Sequence, residues 1–453
     1  MGGGPDQVAV VGAGLAGCLL GCFLARRGYQ VTLYERRGDP RADGPAERGR
    51  SINLAISERG LAALGRIGLA GPVLADALPM RGRMIHPVTG PLDFQPYSAD
   101  RRRAINSIGR AALNRTLLSA AVAAGVRVHF DHRLIGLDPA TGQLRFETPA
   151  GEGKAAAEVV LGADGAGSAV RGELLRHDLV TERLDILGHG YKELTIPPAG
   201  GEFALDPGAL HIWPRGQSML IALPNPDRSF TCTLFWPTGG PDSFAALSSP
   251  AAIERHFARH YPDLPPLAPD LVAEYQHHPV GVLGTVYCTP WQAHGRVGLV
   301  GDAAHAIVPF YGQGANCAFE DVVELDRCLD ETAGDWPAAL RRFGQRRREH
   351  TDAIAELALD NFVEMRDRVA SPAYQLRKRF EHRLERALPG RYLSRYELVS
   401  FTTVPYAQVR RRVRRQRWAL SGITAGAALL AAGGVVAAAR WPRRAGAHRR
   451  WRW

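Results

Sequence analysis

Three glycines and one acid near the N-terminus have the spacing of a dinucleotide-binding site. Gly12, Gly14 and Gly17 form a GxGxxG pattern after the apolar run QVAVV, and Glu35 follows 18 residues after Gly17. The glycines of such a pattern allow a tight turn and a close approach of pyrophosphate to backbone N–H groups at a helix N-terminus. Glu35 can accept hydrogen bonds from ribose hydroxyls. The spacing therefore predicts a bound dinucleotide.

Two later motifs favour a flavin dinucleotide over a nicotinamide one. In the first, GADGAGSAVR (162–171), a predicted strand ends at Asp164 and Gly165. The second is GDAAH (301–305), which is followed closely by PFYGQGAN (309–316). Asp302 can bind ribityl hydroxyls, and the glycine turn beyond it can direct N–H groups at the pyrimidine edge of a flavin. An NAD-dependent dehydrogenase remains an alternative, but it would not need these two motifs.

The elements that must hold these motifs form an α/β pattern interrupted by a sheet. A βαβ unit covers residues 7–35, and similar strands are predicted at 126–130, 157–165 and 296–305. Short alternating or aromatic runs broken by Pro and Gly between 181 and 280 are typical of antiparallel sheet. Residues 318–387 are charged and Leu/Ala-periodic, which predicts helices.

The predicted fold class is α/β. We expect an FAD-binding Rossmann-like domain with an inserted antiparallel β-sheet domain for the substrate, then a C-terminal helical region and a C-terminal membrane helix. The predicted boundaries are 1–74, 101–180 and 281–330 for the FAD-binding domain, 75–100 and 181–280 for the substrate-binding sheet, 331–409 for the helical region, and 410–453 for an Arg-flanked anchor with its helix at 418–439.

Charge separates the body of the chain from its tail. The 453 residues carry a formal net charge of +11, yet residues 410–453 contain 12 arginines and no acid. The body, residues 1–409, has 44 Lys plus Arg against 45 acids and so lacks the cationic excess of a nucleic-acid-binding protein. We expect no nucleic-acid partner.

The cysteines indicate a reducing compartment. The six of them, at 18, 22, 232, 288, 317 and 328, include no CxxC pair. We interpret them as buried thiols rather than as a disulfide framework or a metal site.

The tail has the layout of a single membrane anchor. Six arginines on each side flank an uncharged run of 22 residues, Trp418 to Ala439, which is about 33 Å long as a helix against about 30 Å of hydrocarbon. A basic helix that lies on anionic lipid is the alternative. FAD and reduced thiols place the body in the cytosol.

Longer segments narrow the family further. They are GRSINLAISERG (49–60), PMRGRMIH (79–86), HGYKELTIPP (189–198), LHIWPR (210–215), IALPN (221–225), SFTCTLFWP (229–237), GDAAHAIVPFYGQGANCAFED (301–321) and NFVEMR (361–366). With the glycine motifs they resemble the FAD-dependent aromatic hydroxylases and, within these, the kynurenine 3-monooxygenase family along nearly all of the body.

The resemblance implies a reaction. It implies an FAD enzyme that hydroxylates L-kynurenine to 3-hydroxy-L-kynurenine with NADPH and O2 through a flavin C4a-hydroperoxide, in tryptophan catabolism toward quinolinate and NAD biosynthesis. The flavin carries this chemistry, so we expect no catalytic side chain and no metal.

The resemblance also implies a location. Use of NADPH supports a body in the cytosol. The location that the resemblance implies is the mitochondrial outer membrane in a eukaryote, and the cytoplasm or the inner face of the cell membrane in a bacterium.

The resemblance also implies nine substrate-binding residues. Arg83 and Tyr97 match an arginine and a tyrosine that hold the amino-acid end of L-kynurenine, and a guanidinium can grip a carboxylate through two hydrogen bonds. Asn361 and Tyr396 match further contacts on the C-terminal helices, Tyr396 in a less similar context. The candidates for the apolar wall around the ring are Ile221, Thr233, Phe235, Pro309 and Phe310.

Eleven residues are carried over to cofactor binding in the same way. Contacts are expected from Gly12, Gly14, Gly17, Glu35, Arg110 and Asp302, with Ala55, Leu134, Ala315 and Asn316 as neighbours through backbone or packing. Asp164 is expected to serve both the FAD site and NADPH access. His305 is expected to be structural rather than a proton carrier.

Two further functions stay open. An FAD enzyme of the same fold could act on another aromatic or isoprenoid substrate, although Arg83 with Tyr97 favours an amino-acid carboxylate. The other alternative is a membrane-tethered flavoprotein that acts as a sensor or scaffold without turnover. The residues expected at the matched active-site positions are all present, which speaks against it.

Overall fold

The computed structural model describes residues 7–42, 53–368, 371–416 and 418. The strands in this part of the chain are β1 (Gln7–Val11), β2 (Gln30–Tyr34), β3 (Asn53–Ile56), β4 (Leu78–Met80), β5 (Gly82–Ile85), β6 (Asp93–Pro96), β7 (Ile105–Gly109), β8 (Arg127–His129), β9 (Arg133–Asp138), β10 (Gln143–Thr148), β11 (Gly151–Ala156), β12 (Val159–Gly162), β13 (Thr181–Ile196), β14 (Ala209–Arg215), β15 (Ser218–Pro224), β16 (Phe230–Pro237), β17 (Gly281–Thr289), β18 (Gln292–Ala293) and β19 (Val297–Leu299).

The helices alternate with these strands in the first half of the chain and dominate its end. They are α1 (Leu15–Arg26), α2 (Glu58–Gly65), α3 (Ala70–Ala75), α4 (Arg110–Ala123), α5 (Ala169–Arg176), α6 (Pro250–His260), α7 (Leu271–His277), α8 (Asp302–His305), α9 (Gly314–Glu331), α10 (Trp336–Val363), α11 (Pro372–Ala387) and α12 (Arg395–Ser400). A π-helical segment, Glu364–Arg368, follows α10, and residues 406–416 are also helical.

A six-stranded sheet carries the glycine turns, in the order β18-β19-β12-β1-β2-β8. Every neighbouring pair is parallel except β18 with β19. The strands are apolar on both faces because helices such as α1 cover them, which is the usual condition of a parallel sheet. The strands predicted at 126–130, 157–165 and 296–305 are present as β8, β12 and β19.

A seven-stranded sheet forms the second large layer, in the order β17-β13-β16-β15-β14-β5-β6. Its pairs are antiparallel except β14 with β5. One face packs against α6 and α7 through Trp213, Leu234 and Trp236. The other face contacts the C-terminal helices through residues such as Ile212 and Phe235. The antiparallel pattern predicted for 181–280 is thus present in β13 to β16.

Strands that belong to different sheets alternate along the chain. β4 pairs with β7 in a small sheet that also contains β3, whereas β5 and β6 join the seven-stranded sheet. β17 begins at the predicted boundary at 281, yet it pairs with β13 in the seven-stranded sheet. Alternation of apolar and polar residues predicts that a segment is a strand but not which strand it pairs with. The domain boundaries therefore remain predictions.

The C-terminal helices cover the space between the two sheets. α9, α10 and α11 occupy the region predicted as helical, and α12 packs with them in one apolar cluster through Leu357, Phe362 and Leu398. All six cysteines are buried, as interpreted from the sequence.

The predicted anchor helix lies outside the described residues except for its first residue, Trp418. Within the part of the chain that is described, none of the helices is both long and apolar enough to cross a bilayer.

Candidate active site

A cavity of about 400 Å³ lies between the two large sheets and the C-terminal helices. The nine predicted substrate residues all line it: Arg83, Tyr97, Ile221, Thr233, Phe235, Pro309, Phe310, Asn361 and Tyr396. Of the predicted cofactor residues, the lining includes Gly14, Ala55, Arg110, Asp302 and Ala315. Residues that are distant in sequence therefore meet around one cavity with two chemically different ends.

The first glycine turn fits a diphosphate group. Gly12 has φ +102°, and a Cβ on Gly17 would lie 1.9 Å from the Gly12 carbonyl oxygen, so both positions require glycine. A Cβ on Gly14 would meet nothing within 4 Å. Gly14 precedes α1, whose first N–H groups have no side-chain cap. This open, uncapped helix N-terminus is the environment that a diphosphate requires.

Glu35 has acceptor capacity left for a ribose. Its carboxylate is buried at the end of β2, where Oε2 accepts from the Ala13 N–H (2.9 Å). Oε1 accepts from the N–H (3.1 Å) and Nε (2.9 Å) of Arg37. An ionised carboxylate offers about four acceptor positions, so capacity for a hydroxyl remains. Leu134 is buried nearby on β9, and the His132 N–H donates to the Glu35 carbonyl (2.8 Å).

The second glycine turn brings Asp302 to the cavity. Gly301 has φ +64°, and a Cβ there would lie 3.0 Å from the Cβ of Ala318, so the turn also packs tightly against α9. Asp302 begins α8 and lines the cavity. Arg110 begins α4, is exposed and lines the same cavity, which suits a group that meets a phosphate oxygen.

Asn316 acts on the cavity through its neighbours. Its Nδ2 donates to the carbonyls of Ala55 (2.8 Å) and Gly312 (2.9 Å), and its Oδ1 accepts from the Ser57 N–H (3.0 Å). Asn316 is fully buried, whereas Ala55 and Gly312 line the cavity. The side chain therefore positions the backbone of residues 309–316, the segment expected to meet the flavin, which we call the flavin loop.

Asp164 also uses its carboxylate within the protein. Oδ1 accepts from Ser168 Oγ (2.5 Å), and Oδ2 accepts from the N–H groups of Ala169 (2.7 Å) and Val170 (3.1 Å), at the start of α5. Burial raises the pKa of Asp164, and these hydrogen bonds oppose the rise. Gly165, beside it, lines the cavity.

A buried ion cluster lies beneath the second glycine turn. Asp321 Oδ2 contacts His305 Nε2 (2.5 Å) and accepts from the Gly301 N–H (2.9 Å), while Oδ1 accepts from Arg347 Nε (2.7 Å). Burial alone would raise the pKa of Asp321, but His305 and Arg347 hold it below its usual range. His305, Cys317 and Asp321 lie close together. The Arg347 guanidinium, 3.2 Å from Cys317 Sγ, puts positive charge where a metal ion would have to bind.

Arg83 presents a buried cation to the other end of the cavity. Its side chain, on β5, is 6% exposed, and its guanidinium carbon lies 4.8 Å from the ring centroid of Tyr396 and 5.9 Å from that of Tyr97. The two tyrosine rings are stacked at 4.7 Å. Within the described residues, Arg83 Nε has no hydrogen-bond partner. A buried guanidinium is costly unless an anion pairs with it, so this end fits a carboxylate.

Asn361 offers an acceptor to the same cavity. On α10 it is buried, and its Nδ2 donates to the Phe310 carbonyl (2.6 Å). This bond fixes the amide orientation, because a carbonyl can only accept. The opposite atom, Oδ1, is buried and finds no donor in the part of the chain that is described. It fits the N–H donors of an ammonium group.

A second ion cluster behind the cavity was not predicted from the sequence. Glu364 Oε2 accepts from Arg395 Nη2 (2.6 Å), and Glu364 Oε1 accepts from Tyr374 Oη (2.6 Å). Burial opposes ionisation of Glu364, but Lys378, Arg395 and Arg83 lower its pKa to about 2. Three elements of the helical region meet here, so only the tertiary fold reveals the cluster.

The apolar wall comes from alternate positions of adjacent strands. Thr233 and Phe235 on β16 line the cavity, while Cys232 and Leu234 face the opposite layer, as the two-residue period of a strand requires. Phe310 lies 5.0 Å from Phe235, measured between ring centroids. The wall is therefore continuous from the sheet to the flavin loop.

Further cavity residues were missed by the sequence reasoning. They include Leu210, Met219, Leu223, Tyr311 and Met365. Alternation along β15 could have identified Met219 and Leu223, since Ile221 lies between them. Tyr311 lies in a short 3-10 helix and Met365 in a π-helical segment, where the α-helical and strand periods do not predict which way a side chain faces.

Comparisons with known proteins identify the family. A family model described as an FAD binding domain matches residues 6–185 and 265–358. A curated kynurenine 3-monooxygenase from Myxococcus xanthus is 50% identical over 406 residues, 88% of this chain and 87% of that protein. One from Stenotrophomonas maltophilia is 47% identical over 423 residues, 93% of this chain and 92% of that protein. This chain belongs to the kynurenine 3-monooxygenase family.

Solved structures share the fold of this kynurenine 3-monooxygenase family member. 2-Methyl-3-hydroxypyridine-5-carboxylic acid oxygenase matches with a TM-score of 0.66 at 23% identity, over 83% of this chain and 97% of that one. Pseudomonas aeruginosa PqsL matches with a TM-score of 0.64 at 22% identity, over 80% and 97%. The predicted FAD-binding α/β fold with a helical C-terminal region is confirmed. Its sheets are mixed rather than purely antiparallel on the substrate side.

Proposed function

We propose that this chain is an FAD-dependent monooxygenase that converts L-kynurenine to 3-hydroxy-L-kynurenine with NADPH and O2, a step of tryptophan catabolism. The observation that carries the proposal is the pairing of a buried, unpartnered donor on Arg83 with a buried, unpartnered acceptor on Asn361 in one cavity. An α-amino acid supplies both complements, a carboxylate and an ammonium. Family membership supports the same substrate.

FAD would bind along the glycine-turn side of the cavity. The N-terminus of α1 at Gly14 would receive the diphosphate, Glu35 the adenosine ribose, and Asp302 the ribityl chain. When bound, FAD would accept a hydride from NADPH and, once reduced, activate O2. The backbone held by Asn316 would set the position of its pyrimidine edge.

The amino-acid end of the substrate would occupy the polar end of the cavity. The Arg83 guanidinium lies beside the stacked rings of Tyr97 and Tyr396, and its unpartnered Nε leaves a donor for a carboxylate. The stacked hydroxyphenyl groups of Tyr97 and Tyr396 can add a directed hydrogen bond. Asn361 would accept from the ammonium group. Together these contacts orient the aromatic ring toward the flavin side.

The role of the apolar wall is orientation and exclusion of water. Phe235, Phe310 and Ile221 line the space between the polar end and the glycine turns. An aniline amino group activates the adjacent ring carbon by itself, so the chain need not supply an acid or a base. What the wall supplies is a dry, shaped environment that favours hydroxylation over the unproductive release of H2O2.

Glu364 would balance the charges at the polar end. Arg83 is buried and the Arg395 side chain is 11% exposed, and the Glu364 carboxylate pairs with Arg395 through a 2.6 Å contact. The remaining positive charge on Arg83 matches the single negative charge of a substrate carboxylate. We regard Glu364 as a positioning residue.

The tail would anchor the enzyme to a membrane. The support is in the sequence: an uncharged run at 418–439 between two groups of six arginines. The catalytic body would then lie on the cytosolic side. A chain that stays fully soluble in the presence of membranes contradicts the anchor without affecting the proposed reaction.

Product analysis tests the proposed reaction. The purified chain, loaded with FAD, is incubated with NADPH in air with L-kynurenine, with 4-hydroxybenzoate, or with neither. We expect rapid NADPH oxidation only with L-kynurenine, and a product heavier by one oxygen atom. Hydroxylation of 4-hydroxybenzoate with L-kynurenine untouched would assign the chain to another aromatic substrate.

A further inference from the structure

Helix α11 exposes large apolar side chains on its outer face. Leu376 is 69% exposed and Phe380 49%. They are four residues apart, and Arg383 is seven residues from Leu376, so the three share one face of the helix. The opposite face carries Tyr374, which is buried against Glu364 beside the cavity. One side of α11 thus contacts the candidate active site, and the other faces solvent.

The charges of α11 are sorted between these two faces. Glu381 is 14% exposed and accepts from Lys378 Nζ (2.9 Å) and Arg377 Nε (3.1 Å). Glu385 is buried and accepts from the Ser394 N–H (2.9 Å). Both carboxylates of the helix therefore point inward. The exposed positions on either side of Leu376 and Phe380 are arginines: 377, 379, 383 and 386.

The start of the tail packs beside the end of α11. Residues 406–416 form a helix from which Arg412 donates to the carbonyls of Gly390 (2.7 Å) and Arg391 (3.2 Å), just beyond the end of α11. Leu388, between these elements, is 41% exposed, and Trp418 is 75% exposed. Further exposed arginines follow at 411, 414 and 415.

We propose that Leu376 and Phe380, with the arginines around them on α11, form a docking surface for an anionic lipid bilayer. We call it the α11 surface. A helix whose solvent face combines large apolar side chains with arginines, and whose acids point inward, has the composition of a helix that lies in a membrane interface. Juxtamembrane arginines are attracted by anionic headgroups. The docking is separate from a spanning tail: it requires only that α11 lie on the lipid.

Charge complementarity favours a lipid over a second copy of the chain. A two-fold contact would place the same patch against itself, and each arginine row would face another arginine row. An anionic bilayer offers apolar depth for Leu376 and Phe380 together with counter-charge for Arg379 and Arg383.

A local probe tests this surface in the full-length, FAD-loaded enzyme. Phe380→Cys is labelled with an environment-sensitive fluorophore, because all six native cysteines are buried. The matched control is Val122→Cys, at another exposed apolar position, on α4. With vesicles of phosphatidylcholine and phosphatidylglycerol, we expect a blue shift at 380 and none at 122. Phosphatidylcholine alone should give little shift, and added salt should reduce it.

Charge reversal separates the α11 surface from the tail. Arg379→Glu with Arg383→Glu should raise the lipid concentration for a half-maximal shift at 380 by about a hundredfold or more. Arg101→Glu with Arg102→Glu, at exposed positions elsewhere, should leave it unchanged. If the chain floats with the vesicles while the probe at 380 does not shift, the tail alone binds and the α11 surface is refuted. A shift that grows with protein concentration without vesicles indicates self-association and also refutes it.

Discussion

The two ends of the cavity are built from different parts of the polypeptide. The cofactor end relies mainly on backbone, with a glycine turn, the uncapped N-terminus of α1 and a loop held by Asn316, and adds the side chains of Glu35 and Asp302. The substrate end uses side chains, with Arg83 from β5, Asn361 from α10 and Tyr396 from α12. Backbone sites tolerate little added volume, whereas side-chain sites depend on a few functional groups. The two ends should therefore fail in different ways when mutated.

The largest expected effect is at the cofactor end. In Gly17→Ala the new methyl would lie 1.9 Å from the Gly12 carbonyl oxygen, so the turn must move. We expect the protein to purify without flavin colour and to lose about 1–3 kcal/mol of stability through overpacking. Flavin absorbance and thermal unfolding measure the two effects.

Gly14→Ala is the matched control for this prediction. Its methyl meets no protein atom within 4 Å, so the apo-protein should keep its stability to within about 0.5 kcal/mol. It should still bind FAD less tightly, because the methyl points into the space that the diphosphate would use. Normal FAD content in Gly17→Ala contradicts the backbone account.

At the substrate end, Arg83→Ala should have the next largest effect. Removing one partner of a buried charge pair costs about 2–5 kcal/mol, so we expect the KM for L-kynurenine to rise about a hundredfold or more with FAD content unchanged. Steady-state NADPH oxidation measures it. Arg102→Ala, whose side chain is 92% exposed, should behave as wild type. An unchanged KM in Arg83→Ala would show that the carboxylate binds elsewhere.

The buried Glu364 should make the substrate end sensitive to acid. Its pKa is lowered to about 2 in the folded chain, so its stabilising effect is complete above the unfolded value near 4.5 and is lost as the pH falls toward 2. We expect wild type to be more stable than Glu364→Gln by roughly 3 kcal/mol at neutral pH, and the difference to shrink below pH 5. Urea unfolding at a series of pH values measures this. A difference that stays constant with pH argues against an ionised, buried Glu364.

The smallest of these effects belongs to Asn361. Asn361→Ala should raise the KM for L-kynurenine about tenfold, the cost of one hydrogen bond to a charged group. For an analogue that lacks the α-amino group, wild type and variant should have similar KM values. Equal losses for both compounds would indicate a packing role instead.

The cofactor end could be predicted from sequence because its information is local. Gly12, Gly14 and Gly17 lie within six residues of each other, and each has its own steric requirement in the turn. The prediction was less complete where one residue type serves two purposes. Asp164 ends a strand before a glycine as cofactor contacts do, yet its side chain caps α5. Asn316 was expected to act through backbone or packing, and its side chain holds the flavin loop.

The substrate end could not be derived from local pattern alone. Arg83 and Asn361 reach one cavity only because β5 packs beneath the C-terminal helices. The periodicity of apolar residues does not predict which elements become neighbours. The family resemblance supplied these positions. The cluster of Glu364 with Arg395 was missed for the same reason, because charged residues on predicted helices usually face solvent.

One measurement tests the central claim most directly: the end of the cavity at Arg83 selects an amino acid by its carboxylate. The kcat/KM values for L-kynurenine and for kynuramine, which lacks only that carboxylate, are compared in wild type and in Arg83→Ala. We predict that wild type prefers L-kynurenine by about a hundredfold or more and that Arg83→Ala removes most of this preference. A preference of the same size in both proteins would contradict the account.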